Sequence, residues 1–163
     1  MKSKKLLSII LALAMMFSVL PASTILVYAD EITETISADT TWNDGDTVGG
    51  VTISGGTVTI NGDVGITAAI TIKGDVTFTG GGTLNRMSTS GNLIKVESGS
   101  LTLGNVTIDG NDVIISDSGA VAAINMADGT VIMNDGAKIT NHKRTSGYGP
   151  AVYMAGGNFK MKG

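Results

Sequence analysis

The sequence predicts an all-β chain wound into a stack of coils, each made of three short strands, and three observations predict it. First, the stretch from Ile94 to Met161 is one passage written three times. Its copies are Ile94-Lys95-Val96 with Gly99-Ser100-Leu101-Thr102-Leu103, Ile124-Asn125-Met126 with Gly129-Thr130-Val131-Ile132-Met133, and Val152-Tyr153-Met154 with Gly157-Asn158-Phe159-Lys160-Met161. The steps between copies are 30 and 28 residues, a period that calls for a repeat architecture. Second, apolar and polar residues alternate within each copy, as one buried sheet face requires. Third, a glycine falls at the same offset in every copy, where a chain turning a corner needs positive φ. A third short run follows in the first two copies, Val106-Thr107-Ile108 and Ala137-Lys138-Ile139.

The 163 residues fit one domain, with 23 glycines for tight turns and regularly placed β-branched residues that exclude disorder. Cysteine is absent, so disulfides and thiolate metal sites are excluded. Residues 1–29 read as a secretory signal peptide, expected as a helix. Lys2, Lys4 and Lys5 are followed by an apolar run from Leu6 to Leu20, a break at Pro21, and small residues at Val27-Tyr28-Ala29. The competing reading is an uncleaved membrane anchor. All 14 acidic residues lie at Asp30 or later, but only 8 of the 11 basic ones do, so the chain without its signal carries 8 − 14 = −6. Such a chain lacks the clustered cations that nucleic acid requires. The expected contact with a membrane is through the signal peptide alone.

Residues 30–48 read as a polar lead-in and N-terminal cap. Thr41-Trp42-Asn43-Asp44-Gly45-Asp46 is a turn signal, and Trp42 hides the first apolar layer, since terminal repeats are atypical. A sugar-stacking platform is the sharper alternative for Trp42. Residues 49–163 form the coils. Val51-Thr52-Ile53 with Thr57-Val58-Thr59-Ile60 and Val64-Gly65-Ile66 make one coil. Ile70-Thr71-Ile72, Val76-Thr77-Phe78 and Thr83-Leu84 make the next. Ile53, Ile72, Val96, Met126 and Met154 then mark one inward position in five successive coils. Because like strands recur once per three-strand unit, they stack in parallel about 4.8 Å apart, giving a prism roughly 24 Å tall. Parallel crossovers make the coil right-handed. The chain stops after two strands of its fifth coil with no cap, so a truncated C-terminus is expected.

These repeats, the lead-in Thr41 to Asp46 and the run Asn134-Asp135-Gly136-Ala137-Lys138-Ile139 resemble right-handed parallel β-helix proteins of the pectate-lyase-like class. Within it they are most similar to repeat-bearing surface proteins of Gram-positive, gut-type bacteria. The resemblance covers about Thr41 to Gly163 and implies a secreted or cell-surface location. The class includes lyases, hydrolases, adhesins and spacers, so fold alone does not assign function.

The connections after each third strand are 67–69, 85–92, 109–120 and 141–150, the first short and the later ones longer. All leave from one corner, and insertions confined to one face are commonly a repeat protein's binding face. They are expected to form a lateral wall for an extended ligand such as a polysaccharide or a cell-surface glycan. Candidate ligand-binding residues are Arg86, Asn92, Asp109, Asn111, Asp112, His142, Lys143, Arg144 and Tyr148. Val113-Ile114-Ile115 reads as a small extra strand. His142 is the lone histidine, without a base partner in sequence, so a solvated loop residue is the plainer reading. Asp109, Asp112 and Asp117 offer carboxylates of the kind calcium takes. Their spacing matches no calcium loop, and turn-forming Asp beside Gly accounts for them, so no cofactor is assigned. Asn111 and Asn141 read as a stacked amide ladder. Lys143 and Arg144 read as a solvated pair or as a hold on an acidic sugar.

Pectate lyases use an acidic calcium cluster with an arginine or lysine base on one sheet. Outward positions here are mostly Thr, Asn, Lys and Ser, and no catalytic residue carries over. Thr57-x-Thr59 and Thr77-x-Thr79 resemble ice-binding surfaces, but the pattern does not continue in later coils. The expectation is an exported surface β-helix serving as adhesin, carbohydrate-binding module or stalk rather than an enzyme. The alternative is the N-terminal piece of a polysaccharide lyase or glycoside hydrolase.

Overall fold

The computed structural model describes residues 31–147 and 149–162, so the signal-peptide assignment and Tyr148 lie outside the described residues. The described chain is all β, with 17 strands and no helix. Successive units, here called rungs, lie one on another. The first rung is β1 (Thr35–Ile36), β2 (Thr40–Asn43) and β3 (Thr47–Val48). The second is β4 (Thr52–Asn61) and β5 (Asp63–Ile66), and the third β6 (Ile70–Thr79) and β7 (Thr83–Arg86). The fourth is β8 (Ile94–Val96), β9 (Ser100–Leu103) and β10 (Thr107–Asp109), with β11 (Ile114–Ile115) in its connection. The fifth is β12 (Ile124–Met126), β13 (Thr130–Met133) and β14 (Lys138–Thr140), with β15 (Lys143–Arg144) likewise outside. The sixth is β16 (Val152–Met154) and β17 (Asn158–Met161).

Every pairing is parallel. Ten strands from the first two legs of each rung form one curled sheet, and β3, β5, β7, β10 and β14 form a second of five. The marked inward column is continuous: Ile36 pairs with Ile53, Ile53 with Ile72, Ile72 with Val96, Val96 with Met126, and Met126 with Met154. A second column joins Val58, Phe78, Leu103, Met133 and Met161. Side chains on the inward face from Ile53 to Val131 are almost wholly buried, and the two sheets close on this shared core. This architecture is compatible with a solenoid.

Two expectations need correction, and one alternative reading, of Trp42, falls. The described residues make six rungs, not five, because residues 35–48 pair in register with the next rung instead of serving only as a lead-in. Trp42 is core, with its ring centroid 5.9 Å from that of Phe78 and 1% of its surface exposed, so it is no sugar platform. Its burial follows from the inward position it shares with Ile60. The first two legs of the second and third rungs are not separate short strands but single ten-residue strands, β4 and β6. At this corner Gly56 holds φ of 97°, a Cβ at Gly74 would meet Ser54 O, and the register shifts between Ile53 and Gly55. From the fourth rung on, Gly99, Gly129 and Gly157 hold φ of 73°, 87° and 80° at the corner, and the strands part.

The threonine pattern also reaches further than the sequence suggests. Thr57 pairs with Thr77 and Thr77 with Thr102, while Thr41 pairs with Thr59 and Thr59 with Thr79. Ile132 and Gly104 end the two rows in later rungs.

A groove walled by braced connections

The long connections sit together because their residues bond across rungs. β11 and β15 pair in parallel, so the extra strand expected at Val113-Ile114-Ile115 forms over its last two residues. The Gly91 amide donates to Asp117 Oδ2 at 2.7 Å, and the Ala122 amide donates to Asn92 Oδ1 at 2.9 Å. Connections from the third, fourth and fifth rungs therefore form one braced stack beside the five-stranded sheet.

The two arginines are the braces. Arg86 closes β7 with 1% of its surface exposed. Its guanidinium donates to the carbonyls of Gly91 at 2.9 Å, Ser88 at 3.3 Å and Ala122 at 3.4 Å. Burial lowers its pKa from the ordinary value, and the nearby Asp117 carboxylate opposes that shift. Arg144 lies in β15 and donates to the carbonyls of Val121 at 2.6 Å, Asp117 at 2.9 Å and Gly119 at 2.9 Å. Both were expected in loops facing a ligand; the structure places them on short strands with their donors turned into the wall.

Asp109 organises the next layer. Its carboxylate accepts from the Asn111 amide at 2.6 Å, from Thr140 Oγ1 at 3.1 Å and from Asn141 Nδ2 at 3.0 Å. Asn111 and Asn141 both take positive φ, 51° and 55°, a region that asparagine enters more readily than most residues. Their amides go to different partners, Arg86 O and Asp109, so they do not build the expected ladder. The physical reason is register: Gly110 packs against Asn141, and the insertion after it carries Asn111 away.

His142 Nε2 lies 3.3 Å from Ile108 O, which fits a neutral ring carrying its proton on Nε2. Its Nδ1 is buried with no hydrogen-bond partner. Burial lowers its pKa most; the Ile108 carbonyl raises it, the Arg86 charge lowers it, and Asp109 raises it. His142 is thus set partly inside the wall rather than on a solvated loop. Lys143 Nζ pairs with Asp112 Oδ1 at 2.8 Å, and both side chains are more than half exposed.

Beside this wall runs a groove of about 400 Å³ across the first four rungs. Its floor is the outward register column Thr47, Gly65 and Asn85, whose neighbours Val48, Ile66 and Arg86 face the core. Gly45, Asp46 and Asp63 line one rim, and Met87 and Asn111 the other. The bare Cα of Gly65 leaves the space that Met87 Sδ occupies, and a Cβ there would push that side chain aside. Asp46 Oδ2 accepts from the Asn43 amide at 2.7 Å, which ties that rim to its turn.

The structure thus gathers eight of the nine candidate residues into the wall, Tyr148 lying outside the described residues. Among them only Asn111 lines the groove. Sequence reasoning missed Asp46, Thr47, Asp63, Asn85 and Met87. The available signal was the outward column of the third strand, visible once Thr47-Val48 is recognised as its first member. Among the described residues no group of three or more His, Asp or Glu side chains is placed to hold a metal ion, and no helix is long and apolar enough to cross a membrane.

Comparison with known proteins adds no relative: no family model matches the chain, and neither the characterised proteins nor the solved structures include a significant match.

Proposed function

We propose that this chain is a right-handed parallel β-helix module of an exported surface protein, resembling the pectate-lyase-like class and Gram-positive surface proteins, that binds carbohydrate or acts as an adhesive stalk. The observation that carries the reading is the open groove across four rungs, walled on one side by connections that bond to one another. An open channel that crosses several rungs, with carboxylate, amide and hydroxyl side chains among its lining, suits a chain-like ligand, and its volume falls at the small end of ligand sites. Placing the residues on a strand ladder fixes them more firmly than free loops would. The signal-like N-terminus supports export.

A glycoside hydrolase is the second reading, favoured by two carboxylates, Asp46 and Asp63, lining one groove, since a pair of carboxyl groups carries that chemistry. A lyase of the pectate type lacks support, because among the described residues no acidic cluster accompanies either arginine.

The test is glycan-array binding run beside assays for reducing ends and for unsaturated uronate. Saturable binding without product release is the expected result. Release of reducing ends, abolished in Asp63→Asn, would establish the hydrolase instead. Unsaturated uronate would overturn both readings.

A further inference from the structure

We propose that the groove takes an uncharged, hydroxyl-rich saccharide chain and turns uronate chains away. This rests on the carbohydrate-binding reading above and adds the ligand's chemical class and the residues that select it. The groove is lined by two carboxylates and no cationic side chain. The cations of the adjoining wall are already engaged: Arg86 and Arg144 donate to backbone carbonyls, and Lys143 pairs with Asp112. A uronate carboxylate would enter a negative field with nothing to offset it. Sugar hydroxyls are donors, and Asp63, Asn85 and Asn111 present acceptor oxygens along the channel.

Met87 supplies the apolar contact. It is 56% exposed, and the bare Cα of Gly65 lets its thioether lie across the floor. A polarizable, adaptable side chain there suits the C–H face of a sugar ring. A peptide fits less well. The floor strands β5 and β7 have both edges taken by parallel neighbours, so an extended peptide cannot add to them as a further strand.

Calorimetry on the full chain tests the assignment, with neutral β-linked gluco-, xylo- and manno-oligosaccharides, galacturonate oligomers of equal length, and an oligolysine peptide. The wild type is expected to prefer at least one neutral oligomer over galacturonate by about tenfold or more, a gap of about 1.4 kcal/mol. Met87→Ala should weaken neutral binding by about tenfold, the scale of a buried thioether side chain. Asp46→Asn with Asp63→Asn should tighten binding of uronic chains towards that of neutral ones, a gain that simple loss of folding would not produce. Circular dichroism confirms the fold of each variant. Equal or tighter uronate binding by the wild type overturns the proposal, as does oligolysine binding in the groove in place of sugar. Neutral binding untouched by Met87→Ala and Asn85→Ala would keep the carbohydrate reading and remove it from this groove. Binding of no saccharide would remove both.

Discussion

The outer face of the ten-stranded sheet and the side that carries the connections obey one register but are built from different chemistry. On the sheet face, Thr57, Thr77 and Thr102 repeat one small polar residue at the rung spacing. On the connection side the residue type changes down the register column, where Asn85 pairs with Asp109 and Asp109 with Thr140, and Arg86, Asp109, Asn111 and His142 each bond across rungs. The inward columns of the first face are apolar throughout, so its stability comes from area removed from water. The second side has a short apolar contribution from Leu93, Ile115, Ala122 and Ala123, overlaid with charge-assisted hydrogen bonds to backbone carbonyls. The periodic side is therefore insensitive to direction along the stack, whereas the aperiodic side distinguishes one rung from the next. Only such a side can present a particular groove at one height.

The largest expected effect lies on the periodic side. Phe78→Ala removes a fully buried ring that packs on Trp42, and should cost about 3–5 kcal/mol, read as a lowered urea midpoint. Gly129→Ala comes next. Gly129 holds φ of 87°, and a Cβ there would lie 2.5 Å from Gly99 O, the acceptor for the Thr130 amide. Backbone strain and the displaced ladder together should cost about 2–4 kcal/mol. Both losses should be global, with hydrogen exchange quickening in every rung. A loss confined to one rung would break the picture of a single shared core.

Arg86→Met should behave otherwise. The replacement is similar in bulk but leaves the Gly91 carbonyl without its Arg86 donor and the Ala122 carbonyl with the Leu93 amide alone, for about 1–3 kcal/mol. Hydrogen exchange should quicken first at 88–92 and 117–122, while the Ile53 to Met126 column keeps its protection. If that column loosened equally, the connection side would be part of the core and not an overlay on it.

This contrast explains what could be read from sequence. The column through Ile53, Ile72, Val96 and Met126 was legible because each member repeats an alternation that burial enforces. The first rung was not, because Thr35–Ile36 and Thr47–Val48 are two residues each and become strands only by pairing with the rung above. The stacking of the connections on one side followed from strand counting, while their internal bonds depend on insertions that shift register, as with Asn111. Arg86 did leave a trace. In Thr83-Leu84-Asn85-Arg86 strict alternation puts Asn85 outward with the groove floor and Arg86 inward with Leu84, which is where both lie. A charged residue at an inward position signals a buried brace, and the groove beside it follows from the same count.

The smallest expected effect is a dependence on pH that belongs to the connection side alone. His142 is the chain's only histidine, and its pKa in the fold lies below the ordinary 6.5. The folded chain then binds fewer protons than the unfolded chain as pH falls past that value, so acid favours unfolding. The stability that neutral His142 contributes is fully present above pH 6.5 and is lost as pH falls toward its lowered folded value. Protonation would place a second N–H at the buried Nδ1, where no acceptor waits, beside the Arg86 charge. His142→Asn should flatten the urea midpoint between about pH 7 and about pH 5, a window in which few unperturbed side chains titrate. Exchange at 109–120 and 141–147 should carry the wild-type change. A variant with the same slope as the wild type would assign the acid sensitivity to the carboxylates, and with it deny the connection side its own titration.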